Sequence, residues 1–291
     1  MADPYAGCTF CPQLCRHTCP VVHATGREAA TPSRIMALLR EVEAGRAPTR
    51  EGARAAALCT ACGACRDHCR FHVDVPALLA AARGRLAPPH TPAPLAAVEG
   101  DAALVALECD GRPWSSALAA RLGRPVARLA TGDHLGEALL DHPTLATPWL
   151  RRLRAVLTGR EVVSACGRCH AVLAAAGVVH TWLDDIAPPA WTGPSFACQT
   201  GRTLPGQPVA TAALSCGAHG PLARVHPELA RDLAREAAAH LPAGPVAVAD
   251  ACCRAALRGA GADALDPIDL LLQPPPDTAH TGESHAKPHR P

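Results

Sequence analysis

Aromatic residues are scarce in this 291-residue chain: Phe, Trp and Tyr together make up 3% of it. Few rings are therefore on hand to stack against bases or sugars, which argues against a nucleic-acid-binding face. Charge gives no lead in that direction either. Lys and Arg number 28 against 26 Asp and Glu, and a formal net charge of +2 is too small to draw the chain to nucleic acid or to an anionic membrane. Long apolar runs are missing, and a stretch such as 171–179 is too short to span a bilayer. Residues 1–7 hold neither a basic segment nor an apolar core, so no export signal is expected. The expectation is a cytoplasmic protein that reaches the inner face of the membrane only through a partner. No Walker motif, Ser-His-Asp arrangement or acidic pair stands out to suggest phosphoryl transfer or hydrolysis.

Cysteine is what the chain has in excess, with fifteen. Without an export signal, that number points to metal or cluster binding in a reducing compartment. Eight of the fifteen lie within the first seventy residues, in two groups. Cys8, Cys11, Cys15 and Cys19 form C-x2-C-x3-C-x3-C, with Pro20 next. Cys59, Cys62, Cys65 and Cys69 form C-x2-C-x2-C-x3-C. Spacings this short gather three thiolates around one small inorganic core and turn the fourth away. Structural zinc uses C-x2-C differently, drawing four ligands from two separated pairs, although His17, His68 and His72 lie near enough to join such a site. Disulfides fit poorly, because cysteines so close in sequence make strained pairs.

Residues 1–87 read as a small all-α domain. Thr31 and Pro32 open a helix with Ile35, Leu38, Leu39 and Val42 on one face, and Gly45 and Pro48 end it. A short helix over 50–58 leads into the second cysteine group. Asp74 then caps a helix with Pro76 in its first turn, Leu78, Leu79 and Leu86 at helical spacing, and Gly84 weakening its end. Pro88, Pro89, Pro92 and Pro94 mark a linker over 88–100.

From residue 101 the rhythm changes. Short apolar runs at 103–107, 126–129, 161–164 and 246–249 alternate with helical stretches, as in α/β units. This region is also a duplication. At a constant offset of 84 residues, His142-Pro143 meets His226-Pro227, Val162 meets Val246, Cys169 meets Cys253 and Gly177 meets Gly261. No gap is needed over 131–186, which reads as two copies of one unit, 101–190 and 191–273. Less tightly, Cys109 falls opposite Cys198. The tail, 274–291, reads as disordered. The fold class is α+β: an all-α cysteine-rich domain followed by two α/β repeats.

The two short-spaced groups resemble the motifs of two-cluster ferredoxins, in which the fourth cysteine of each run ligates the other cluster. That resemblance implies two [4Fe–4S] clusters. Cluster 1 takes Cys8, Cys11, Cys15 and Cys69; cluster 2 takes Cys59, Cys62, Cys65 and Cys19. The first run departs from the pattern by one extra residue between Cys11 and Cys15, and Arg70 follows Cys69 where proline is expected. Together with the repeats, the chain resembles the iron–sulfur subunits of glycolate oxidase, anaerobic glycerol-3-phosphate dehydrogenase, lactate utilisation and heterodisulfide reductase. Their CCG domain carries a lone Cys, then Cys-Cys-Gly, then C-x-x-C. In the second repeat Cys198 matches the lone cysteine, Ser215-Cys216-Gly217 matches Cys-Cys-Gly, and Cys253 ends C-x-x-C with Asp250 in its first place. In the first repeat Thr131-Gly132-Asp133 replaces Cys-Cys-Gly, while Cys166 and Cys169 keep C-x-x-C. The resemblance implies that Cys198, Cys216, Cys252 and Cys253 form a third redox site, holding a third cluster or a thiol centre.

Three further patterns compete for attention. Cys166-Gly-Arg-Cys169-His170 has the form of a c-type haem attachment site and also of a dithiol pair at a helix start. Residues 259–264 match a loose dinucleotide pattern but lie at a helix end, where they read as a turn. Three functional readings follow. The first is an electron-transfer subunit of an oxidoreductase, linking a flavoprotein dehydrogenase or other redox subunit to a quinone or thiol acceptor. The second is a reductase with its own thiol or cluster centre in the second repeat. The third is a zinc-stabilised interaction protein.

Overall fold

The computed structural model describes residues 3, 5–9, 11, 14–87, 91–132, 134–189, 191–198, 204 and 215–273, and in it the first third of the chain is helical. Short helices α1 (Ala6–Thr9) and α2 (Pro20–Thr25) precede α3 (Pro32–Glu43) and α4 (Thr49–Ala56), and α5 (Ala64–Asp67) precedes α6 (Val75–Leu86). Pro32 sits in the first turn of α3, where its missing N–H costs nothing, and Ile35, Met36, Leu39 and Val42 form the buried stripe. Thr31 is the N-cap by backbone conformation only, without a side-chain cap bond. Asp74 does cap α6, accepting from the Ala77 amide at 3.2 Å. The apolar faces of α3, α4 and α6 close on Tyr5, Cys8 and Cys65.

The remainder is mixed helix and parallel sheet. Strands β1 (Leu104–Glu108), β2 (Ala127–Ala130), β3 (Glu161–Ser164) and β4 (His180–Trp182) form one sheet in the order β2-β1-β3-β4, with helices α7 (Ser115–Leu122), α8 (Pro143–Val156), α9 (Gly167–Ala176) and α10 (Leu183–Ile186). Central β1 is buried throughout, which is why it reads as a continuous apolar run. It extends one residue past that run because the buried Glu108 carboxylate accepts from the amides of Trp114 and Ser115, at 2.7 and 2.9 Å. The second sheet is β5 (Ser195–Phe196), β6 (Val246–Val248) and β7 (Ala264–Leu265), with α11 (Leu222–Val225), α12 (Pro227–Ala239), α13 (Ala251–Gly259) and α14 (Pro267–Leu272).

Register makes the two units comparable residue by residue. Val162 of β3 pairs with His180, and Val246 of β6 pairs with Ala264, both partners displaced by the same 84 residues. Ala106 pairs with Val163 where Ser195 pairs with Ala247, so Cys109 and Cys198 each follow an equivalent strand residue by three positions. The units share a core, since Ala251 and Ile268 pack with Leu104, Trp114 and Leu183. Arg112 clasps them as well, donating to Asp266 at 2.9 Å and Asp269 at 3.1 Å.

The helical third touches both units. Val21 and Val22 of α2 pack against Leu222, Leu229 and Leu233. His226 Nε2 reaches the Arg54 carbonyl at 2.8 Å. Arg83 forms a two-pronged ion pair with Asp141, at 2.7 and 2.9 Å. In the linker, Leu95 and Val98 lie against the core of the first sheet and Glu99 bridges to Arg128. Pro88 and Pro89, Asp133 and the tail 274–291 lie outside the described residues. Among the described residues no helix is long and apolar enough to cross a membrane.

Gly84 lies where α6 meets the backbone of residue 141: an added β-carbon would stand 1.9 Å from the Asp141 carbonyl oxygen. In an isolated helix Gly→Ala stabilises by about 1 kcal/mol. Here Gly84→Ala is expected to reverse that sign and destabilise by ~1–3 kcal/mol through overpacking. A melting temperature at or above that of the parent would show that the two surfaces do not meet.

Candidate metal centres

The N-terminal cysteines sit at helix starts and in the turns between helices. Cys19 is the N-cap residue of α2, and Cys65 lies in α5 behind Gly63, whose left-handed backbone (φ 79°) turns the chain into that helix. The Cys8 thiol is pushed up to about 11, by burial first and then by the thiols of Cys15, Cys69 and Cys11. Burial likewise raises Cys65, followed by Cys59, Cys62 and Cys19. Cys19 is pushed up to about 12 by burial, against the amides of Val22 and Val21, which favour the thiolate. Cys69, the fourth cysteine of the second run, thus lies near Cys8, and Cys19, the fourth of the first, lies near Cys59 and Cys62.

These surroundings can be tested for fit to an inorganic cluster. One small cavity is lined by Cys19, Cys59, Cys62 and Cys65 together, with Ile35 and Leu79 in its wall. Four thiolates crowded there, Cys65 buried and the other three half-buried, would repel one another; iron would supply the positive charge that keeps them ionised. The Ala61 amide points at the Cys59 sulfur at 3.2 Å. Oriented amides of this kind are the donors that ligated sulfur accepts. The donor set and its shell fit a four-iron cluster.

A second concentration of sulfur lies in the second repeat. Cys198 follows β5, Cys216 precedes α11, and Cys253 lies in the first turn of α13. Cys216 Sγ is 3.4 Å from Cys198 Sγ and 3.3 Å from Cys253 Sγ, and His219 Nε2 is 3.2 Å from Cys253 Sγ. All four residues are buried, and their donor atoms lie within 4.8 Å of one another. The sequence grouped Cys252 with Cys198, Cys216 and Cys253. The structure places Cys252 elsewhere, 3.5 Å from Cys166 Sγ in the first repeat, and puts His219 in the group instead. Adjacent helix residues point about 100° apart, and here Cys253 faces Cys216 while Cys252 faces Cys166.

The first repeat holds a matching group that the sequence did not assemble: Cys109, His134, Cys166 and Cys169, again within 4.8 Å. His134 Nδ1 lies 3.3 Å from Cys166 Sγ. His134 and His219 are 85 residues apart, one out of step with the repeat, and so escape a fixed-offset comparison. His170 of the haem-like pattern turns to other work: it stacks on Trp182 with ring centroids 3.8 Å apart, and its Nε2 meets the Ser164 carbonyl. A cavity of about 610 Å³ between the repeats is lined by Cys109, His134, Arg168, Cys252 and Arg235 among others.

Asp250 joins the two groups. Its Oδ1 accepts from the Cys252 amide at 2.7 Å, capping α13, and its Oδ2 accepts from the Gly167 amide at 2.8 Å, at the start of α9. A side chain on Gly167 would lie 2.4 Å from that oxygen, so only glycine admits the contact. Burial pushes the Asp250 carboxyl up to about 6, with His219 pulling the other way. On His219 burial acts downward, but the Asp250 carboxylate and the thiols of Cys198 and Cys216 raise it on balance.

Residues 5–73 match the family model of the 4Fe-4S dicluster domain. No curated protein and no solved structure matches the chain. The matched segment spans both N-terminal cysteine runs, and the chain is an iron–sulfur protein.

Removing one ordinary helix cap costs about 0.5–2 kcal/mol. Asp250→Ala removes two at once and is expected to destabilise by roughly 1–4 kcal/mol in chemical unfolding. Asp250→Asn keeps one acceptor oxygen and should lose about half as much. Full stability in Asp250→Asn beside a loss in Asp250→Ala would show that Asp250 caps a single helix.

Proposed function

We propose that this iron–sulfur protein is an electron-transfer subunit of a multi-subunit oxidoreductase. Cluster 1 is held by Cys8, Cys11, Cys15 and Cys69, and cluster 2 by Cys59, Cys62, Cys65 and Cys19. The observation that carries the reading is the cavity that Cys19 shares with Cys59, Cys62 and Cys65. When bound, a four-iron cluster supplies a one-electron couple. The chain's own residues set the conditions for it. Ala61 and Val22 direct amides at the cysteine sulfurs, while Ile35 and Leu79 keep water from cluster 2. Phe71, 62% exposed, stands two residues from Cys69 at an edge that a partner can approach. The partner in this reading is a flavoprotein dehydrogenase or another redox subunit, and the acceptor is a quinone or a thiol. The subunit works in the cytoplasm and meets the membrane only through that partner.

A second reading gains support from a contact. A cavity of about 230 Å³ is lined by Thr60 and Cys62 on one side and by Gly167, Arg168 and His219 on the other. The second cysteine run thus faces the sulfur groups of the repeats, as a reductase with its own centre there would require.

After anaerobic reconstitution the full chain is expected to hold close to eight irons, four for each cysteine set. Cys19→Ser should damage the cluster built on Cys59, Cys62 and Cys65, and Cys69→Ser the one built on Cys8, Cys11 and Cys15. Electron paramagnetic resonance of the two variants should therefore show different surviving signals. Loss of the same signal in Cys19→Ser and Cys11→Ser would sink the crossed arrangement, and four irons or fewer would sink the two-cluster reading.

A further inference from the structure

We propose that each α/β repeat binds a single tetrahedrally coordinated divalent ion of the zinc class. In the second repeat the ligands are Cys198, Cys216, His219 and Cys253; in the first they are Cys109, His134, Cys166 and Cys169. This goes beyond the electron-transfer reading, which rests on the N-terminal cysteines alone.

Spacing is the first argument. Thiolates bound to one ion at about 2.3 Å lie about 3.8 Å apart in a tetrahedron. The sulfur separations of 3.3 and 3.4 Å around Cys216 are close to that spacing. A four-iron cluster puts iron and sulfide between its thiolates and spreads them further. The same chain displays the contrast: its eight N-terminal cysteines, all described, form no group within 4.8 Å, while both repeats do. A disulfide does not account for the second-repeat group, because Cys216 is nearly equidistant from two sulfurs and a histidine nitrogen completes the set.

The second argument is compensation between the copies. Cys109 and Cys198 are equivalent by strand register, and Cys169 and Cys253 are each the third residue of a helix that starts at the same point. Each copy adds a histidine, His134 or His219. The fourth ligand differs. At the position of Cys216 the first repeat has Gly132, and at the position of Cys166 the second has Asp250. Each copy therefore lacks a different cysteine, yet each arrives at three sulfurs and one nitrogen. Cys3His is one of the closed donor sets of structural zinc, and soft thiolates select for that class of ion. In the second repeat all four ligands are buried and the protein fills the coordination sphere, the mark of a structural site.

The test uses the full chain, purified anaerobically without chelator. Two zinc ions per chain are expected alongside the iron. Zinc X-ray absorption should give a first shell of three sulfurs and one nitrogen, with no metal–metal scattering. His219→Ala and Cys198→Ser should each lower zinc from two to one and leave iron unchanged, and His134→Ala should do the same through the other site. If a variant does not fold, the absorption spectrum of the parent chain decides. Three results would overturn the proposal: absence of zinc, zinc removed by brief chelation as an adventitious ion only, or loss of about four irons in Cys198→Ser. Iron loss in Cys198→Ser is read against the parent: a fall from about twelve irons to eight overturns the zinc proposal and leaves the N-terminal clusters standing, a fall from eight to four overturns both, and the two zinc results leave the iron count untouched.

Discussion

One buried carboxylate holds the centre of the molecule together. Asp250 accepts an amide from the start of α13 with one oxygen and an amide from the start of α9 with the other. A helix N-terminus carries partial positive charge and unsatisfied amides, and two such ends facing each other would repel and leave donors orphaned. A single carboxylate answers both. Its place sets the orientation of Cys166 and Cys169 on one helix and of Cys252 and Cys253 on the other, and hence the position of both sulfur groups. The Ala251 amide, bonded to the Ala165 carbonyl at 2.8 Å, fixes the same junction through the backbone.

The arrangement follows from how parallel sheets are built. Strands β3 and β6 both end at this junction, and each hands the chain to a helix whose third residue is a cysteine. The carboxyl ends of parallel strands are where open α/β sheets gather ligands. Duplication places two such ends face to face. The second cysteine run of the helical third packs on the same region, since the backbone of Cys59 and Thr60 lies against Gly220. The N-terminal cysteines and the sulfur groups of the repeats thus share one neighbourhood.

Much of this was legible in the chain. Strand β3 coincides with the apolar run at 161–164, because a strand buried on both faces has no alternation to disguise it. Strands β5 and β7, two residues each, carry too little pattern to be read. The duplication was plain at a fixed offset, but the same rigidity hid His134 and His219, which sit one residue out of step. The family pattern puts Cys252 and Cys253 in one set; the turn of the helix separates them. Gly84 reads as a weak point in a helix, whereas its lack of a side chain admits the backbone of residue 141. Contacts between distant segments, such as Arg83 with Asp141, leave no local trace.

The attachments between the helical third and the rest have a topological consequence. Three of them, the α2 apolar patch, the His226–Arg54 contact and the Arg83–Asp141 pair, lie far apart in sequence and reach both repeats. The linker at 91–100 runs along the surface of one repeat and is not what keeps the halves in place. Connectivity is therefore redundant with packing. A nick in that segment is expected to leave the halves associated through these contacts.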